Sequence, residues 1–161
     1  MNDERAAGSP APPEDVVRKT VTVPRAQRDA FQLWTAQIHR WWPAGHSISG
    51  DRATRVVLEG REGGRFYEQT SEGAQHDWGR VLVWQPPQRL VFHWYLGSGP
   101  QLPTRVEVHF VPLDAQNTRI EVEHRGPDLI GELWQRNKGR YSAAWDAVLG
   151  ALAQQVREDR I

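Results

Sequence analysis

The chain has no cysteine, which removes structural disulfides and thiolate metal sites together. It does not need such a staple. At 161 residues it can bury roughly 70% of the surface its unfolded form exposes. No charge is in excess: 20 basic residues balance 20 acidic ones, so there is no electrostatic footprint for nucleic acid or an anionic membrane. Lysine is nearly missing, at Lys19 and Lys138 only, and arginine carries the rest of the positive charge. No apolar run approaches the roughly 20 residues that span a bilayer. Met1 to Glu14 lacks the apolar stretch of a secretory signal. These absences predict a cytoplasmic protein with no membrane or nucleic-acid partner; monomer and homodimer both stay open.

Tryptophan is what the chain has in plenty, with eight. Each indole brings a large apolar area and one N–H that needs an acceptor. Eight in a domain this small imply a heavily aromatic core or an aromatic cavity.

Residues 1–14 are proline, alanine, glycine and charge, which cannot bury enough apolar area to offset ordering. A disordered tail is expected there, and a single domain over 15–161. Val16 to Val23 alternates as a strand does, and Pro24 ends it. Ala30, Phe31, Trp34 and Ile38 share one face of a helix predicted over 26–38. After Trp41-Trp42-Pro43 a loop runs through Gly45 and Gly50. Short runs near 55–59, 65–70, 76–84, 89–96, 104–111 and 118–124 follow, separated by turn residues, as in an antiparallel meander. Tyr141, Trp145, Val148, Leu149, Leu152 and Val156 then fall at helical spacing. Their stripe must lie on something, and the sheet is the large surface available. The class is therefore α+β: a curved antiparallel sheet wrapped around a long C-terminal helix.

Alternation assigns faces. Val106, Val108 and Phe110 point inward, as do Ile120, Val122 and His124, and Leu90, Phe92 and Trp94. Phe66 inward carries Glu68 inward. In 76–84 the preferred inward set is Gly79, Val81 and Val83, with Trp78, Leu82 and Trp84 as the alternative. Glu68 and His124 are thus polar groups on an apolar face, the usual profile of a small-molecule pocket. Each also has an ordinary reading: His124 bonded to a nearby backbone carbonyl, Glu68 paired with an inward arginine or emerging at the rim. Of Trp41 and Trp42, one is expected to cap the cavity while the other is partly exposed.

Other chemistry finds little support. The six histidines show no zinc spacing, and the serines lack a nucleophile elbow. Gly60 to Gly64 leads into a strand, not into the helix a phosphate loop requires. Neither a metal nor a cofactor is predicted.

Trp41-Trp42-Pro43, Gly63-Gly64-Arg65-Phe66-Tyr67-Glu68, Trp78-Gly79-Arg80-Val81, Pro86-Pro87-Gln88-Arg89-Leu90-Val91-Phe92-His93-Trp94, Thr104-Arg105-Val106-Glu107-Val108, Glu123-His124-Arg125-Gly126 and Ala144-Trp145-Asp146 occur in that order. In these the chain resembles the START-like (SRPBCC) superfamily, and within it homologues of the C-terminal domain of the heat-shock protein 90 ATPase activator. The resemblance implies the helix-grip (Bet v1-like) fold. It leaves function broad, because lipid carriers, hormone receptors, aromatic cyclases and co-chaperones share that fold.

Three functions follow in order. The first is non-catalytic binding of a small hydrophobic or aromatic molecule between sheet and final helix. Trp42, Phe66, Phe92, Trp94, Val108, Tyr141 and Trp145 would line the site, and Glu68, His124 and the Tyr141 hydroxyl would orient the ligand. The second is a stress or chaperone accessory role with a chaperone partner. The third is a cyclase or hydratase-type enzyme using Glu68 and His124 as an acid–base pair.

Overall fold

A computed structural model describes residues 16–96, 101, 103–126 and 132–159. The tail expected at 1–14 lies outside them, as does most of the loop expected after Leu96.

Seven strands form one sheet: β1 (Val16–Val23), β2 (Arg55–Leu58), β3 (Arg65–Gln69), β4 (Gln75–Gln85), β5 (Arg89–Trp94), β6 (Thr104–Asp114) and β7 (Asn117–Arg125). Their order is β1-β7-β6-β5-β4-β3-β2, and every neighbouring pair is antiparallel. The five pairs from β2 to β7 follow sequence order, as a meander must. The first strand then closes onto the last, Val16 opposite Arg125 through Val23 opposite Thr118. Two α-helices are described, α1 (Gln27–Trp34) and α2 (Glu132–Glu158). The curled sheet and the long C-terminal helix make a helix-grip fold.

The stripe read from the sequence is the one α2 buries: Tyr141, Trp145, Val148, Leu149, Leu152 and Val156, with Trp134 added a turn or two earlier. Opposite it lie Phe92 on β5, Val106, Val108 and Phe110 on β6, and Ile120 and Val122 on β7, all buried.

Two expectations need correction. The helix predicted to run to Ile38 stops at Trp34. The Thr35 hydroxyl donates to the Phe31 carbonyl at 2.7 Å, and the Gln37 amide reaches back to Gln32 at 3.0 Å, one residue beyond the α-helical partner. Threonine back-bonding of this kind competes with the helix ladder. A short 3-10 turn (Ile38–Arg40) follows and still buries Ile38.

The second concerns β4, where neither alternation holds throughout. Phe66 pairs with Gly79 but Tyr67 pairs with Asp77, so Trp78 is an extra residue. Val81 pairs with Phe92 but Val83 with Val91, so Leu82 is another. Each bulge reverses the phase of the strand. Gly79 and Val81 face inward as preferred. The bulges also bring Trp78 inside, where it is fully buried, and turn Trp84 onto Phe31, ring centroids 5.2 Å apart. Gly79 is required where it stands, since a Cβ there would overlap the His93 carbonyl of the neighbouring strand.

Candidate functional site

The space left between sheet and helix lies at one end of α2. Arg140, Tyr141, Ala144, Trp145 and Val148 recur at i, i+1, i+4, i+5 and i+8, which is one face of a helix. With Trp94 at the end of β5, Leu96, and Trp42, His46 and Ser47 from the loop before β2, they line a half-open cavity of about 280 Å³. That is near the lower end of the roughly 300–1,000 Å³ of small-molecule sites.

The tryptophan pair divides, but not as expected: the half-buried residue is the one at the cavity, and its neighbour is buried away from it. Trp41 is buried and its indole donates to the Leu33 carbonyl at 2.8 Å, fixing the end of α1. Trp42 is half-buried in the cavity wall and donates to the His46 carbonyl at 2.7 Å. Its ring lies 5.2 Å from that of Trp78 and 6.0 Å from that of Trp94.

Glu68 is fully buried on β3. Its carboxylate accepts the Ile48 amide at 2.6 Å, the Ser49 amide at 3.0 Å and the Trp78 indole at 2.6 Å. Burial alone would raise its pKa, but hydrogen bonds from Ser49, Ile48 and Trp78 outweigh that and hold it below the usual carboxylate range. Among the described residues no arginine is its partner, contrary to the ordinary reading. Glu68 anchors the loop that carries His46 and Ser47, and this fixes one wall of the cavity.

His124 is also fully buried, on β7. Nδ1 lies 2.9 Å from the Trp145 indole nitrogen and Nε2 lies 2.6 Å from the Thr104 hydroxyl oxygen. An indole can only donate, so Nδ1 accepts and the proton sits on Nε2. Thr104 then receives from Nε2–H and donates to the Trp94 carbonyl at 3.2 Å. Both ring nitrogens are used, and by side chains, so the expected backbone carbonyl partner is not found. Burial pushes the His124 pKa down to about 3, so the imidazole is neutral. Glu68 and His124 belong to separate networks, with β4, β5 and β6 between their strands. No hydrogen bond links them among the described residues.

Of the residues predicted to touch a ligand, Trp42, Trp94, Tyr141 and Trp145 come together around the cavity. Phe66, Phe92 and Val108 have no exposed surface and belong to packed core, Phe66 against Phe92 at 5.2 Å. Glu68 and His124 stand behind the wall: one holds the loop, the other holds Trp145.

The sequence reading missed His46, Ser47 and Arg140. Arg140 was findable, being four residues before Ala144 on the same helical edge; His46 and Ser47 sit in a loop without periodicity. Four buried side-chain polar atoms lack a partner among the described residues, and two of them, the Tyr141 hydroxyl and His46 Nδ1, are on residues that line this cavity.

A helix-grip fold with an aromatic cavity under its long helix defines a broad class of proteins. Within it, residues 25–157 match the model of the "Activator of Hsp90 ATPase homolog 1-like protein" family, and the chain belongs to that family. Among solved structures it is similar to the anthrahydroquino-gamma-pyrone synthase Txn09, with 28% identity, TM-score 0.58, and 89% of this chain and 99% of that one covered. It is also similar to CalC, a self-sacrificing resistance protein from Micromonospora echinospora, with 25% identity, TM-score 0.67, and coverage of 89% and 95%. A protein from Mesorhizobium loti shares the fold at 19% identity, TM-score 0.64, with coverage of 89% and 97%. A search of curated proteins returns no significant match. Among the described residues, no helix is long and apolar enough to cross a membrane.

Proposed function

We propose that residues 15–161 act as one domain that binds a small, planar aromatic molecule in the cavity between β5, α2 and the loop carrying Trp42. One observation carries the reading: a hollow of about 280 Å³ is walled by Trp42, Trp94 and Trp145, and two further residues of its lining, Tyr141 and His46, carry buried side-chain polar atoms without partners among the described residues. A native interior seldom leaves such groups unmet, at about 1–3 kcal/mol each. A ligand in the hollow toward which those side chains turn removes that cost. The similarity to Txn09, named for an aromatic pyrone product, supports the same reading.

The test is a panel of aromatic compounds followed by tryptophan quenching and Tm. A binder at about a hundredfold over its Kd stabilises by roughly 2.7 kcal/mol. Ala144→Phe, which pushes a ring into the hollow, should abolish binding and leave the fold intact. A panel with no quenching and no Tm shift overturns the proposal, as does binding that survives Ala144→Phe.

A second reading is ring closure on a ligand held in the same cavity, favoured by the word synthase in the name of Txn09. The free polar groups would then be Tyr141 and His46 in place of Glu68 and His124. The family's name also keeps a chaperone role open. Against it, the exposed large apolar side chains among the described residues are Ile48, Leu82 and Leu113, on three different elements.

A further inference from the structure

We propose that the ligand carries an anionic oxygen, as in an aromatic carboxylate or a phenolate, seated against Arg140 and Tyr141. This rests on the cavity-binding reading above and names the chemistry of its ligand.

The electrostatics of the wall carry the argument. Among the described residues lining the cavity there is no aspartate or glutamate; the one permanently charged side chain is Arg140. Arg140 has no carboxylate partner among the described residues, whereas Arg65, Arg89 and Arg119 on the sheet each hold a carboxylate at 2.7 Å. An unpaired cation beside low-dielectric aromatic walls gives the hollow a positive potential.

Tyr141, the next residue along α2, supplies the second donor. Its ring is stacked on Trp134 with centroids 5.5 Å apart and lies 4.4 Å from the His124 ring, so its position is set by packing. Its hydroxyl is buried and unpartnered among the described residues, just beneath the surface of a cavity that Tyr141 helps to line. The stack depends on Gly126, where a Cβ would meet the Trp134 ring at 2.7 Å. A hydroxyl held in place by two rings and left without an acceptor rejects ligands that lack one. Sites built around an unmet hydrogen bond discriminate more strongly than apolar pockets do. A guanidinium on the same cavity lining selects among acceptors for the charged one.

Naphthoate and naphthamide share a ring system, nearly the same shape and a carbonyl acceptor, and differ in charge at neutral pH. Each would be titrated into the wild-type chain, Arg140→Met and Tyr141→Phe, with tryptophan quenching as the readout. Wild type should bind naphthoate about tenfold more tightly than naphthamide, the size of one charge-assisted contact discounted for a rim position. Arg140→Met should reduce that ratio to about one and leave the naphthamide Kd within about twofold. Tyr141→Phe should weaken both ligands. Arg140 is exposed, so its replacement does not threaten the fold. Equal affinities in wild type, or a preference that survives Arg140→Met, overturn the anionic assignment while leaving the cavity as a binding site. Failure of both compounds to bind wild type, when other aromatics of the panel do, also overturns it. Failure of every compound sinks the cavity reading underneath.

Discussion

Glu68 and His124 occupy equivalent settings and solve them in opposite ways. Both sit on the inner face of the sheet, both are fully buried, and both take a hydrogen bond from a tryptophan indole, Trp78 for one and Trp145 for the other. Glu68 keeps its charge because two backbone amides of the adjoining loop also point at it. His124 has only neutral side chains around it and stays uncharged. What separates them is the supply of donors. Three N–H groups offset the burial of a carboxylate, whereas one indole and one hydroxyl can satisfy an imidazole only while it is neutral. The charged centre fixes a loop and the neutral one fixes a helix, and the cavity lies between the two.

Acid separates them most clearly. The folded pKa of His124 is lowered to about 3 from 6.5, so the unfolded chain takes up its proton first as pH falls. The stability this neutral histidine contributes is whole above about pH 6.5 and is lost between there and about pH 3. The folded pKa of Glu68 is also lowered, so its contribution is present above the ordinary carboxylate range and lost below it. Urea unfolding of wild type should therefore show stability falling by several kcal/mol from pH 7 to pH 4. His124→Phe should flatten the upper part of that slope and Glu68→Gln the lower part. A wild-type profile flat from pH 6.5 to 4.5 would contradict the neutral assignment of His124.

At neutral pH, His124→Phe should itself cost about 3 kcal/mol, because the Trp145 indole loses its buried acceptor and a larger ring is forced against Trp134 and Tyr141. Glu68→Leu should cost less, about 2 kcal/mol, since Ile48 and Ser49 are exposed and their amides can turn to water while only the Trp78 indole is stranded. The larger consequence of Glu68→Leu should be local. Hydrogen exchange at Ile48 and Ser49 should rise by orders of magnitude while that of α2 stays protected. Uniform loss of protection would mean that the loop and the core are one cooperative unit.

How much of this was legible in the sequence follows from the range of each interaction. Alternation in Val106, Val108 and Phe110 and the stripe from Tyr141 to Val156 depend on near neighbours in the chain, and they gave the architecture and the inward positions of Glu68 and His124. The bulges at Trp78 and Leu82 depend on what β3 and β5 present across the ladder, so no pattern within β4 reveals them. The need of each indole for an acceptor was plain; which acceptor it finds is a contact between residues such as His124 and Trp145, far apart until the fold forms. The cavity wall was half readable for the same reason: α2 and β5 have a period, and the loop bearing His46 does not.

The smallest effects test whether the indoles set the two states or merely accompany them. Trp78→Phe and Trp145→Phe each keep an aromatic ring and delete one N–H; beyond the packing lost with the second ring, the hydrogen bond itself accounts for about 1 kcal/mol. Trp78→Phe should raise the Glu68 pKa, because only the loop amides then oppose its burial. Trp145→Phe frees His124 Nδ1, so the ring can carry its proton on either nitrogen. The Thr104 hydroxyl donates to the Trp94 carbonyl and must receive from His124, which still favours the proton on Nε2. Imidazole nitrogen shifts in NMR spectra of the variant should accordingly report the Nε2–H form as the main species, with a minority of the other that wild type lacks. Complete conversion to Nδ1–H would mean that Thr104 donates to the histidine and that the chain of hydrogen bonds from Trp145 to Trp94 runs the other way.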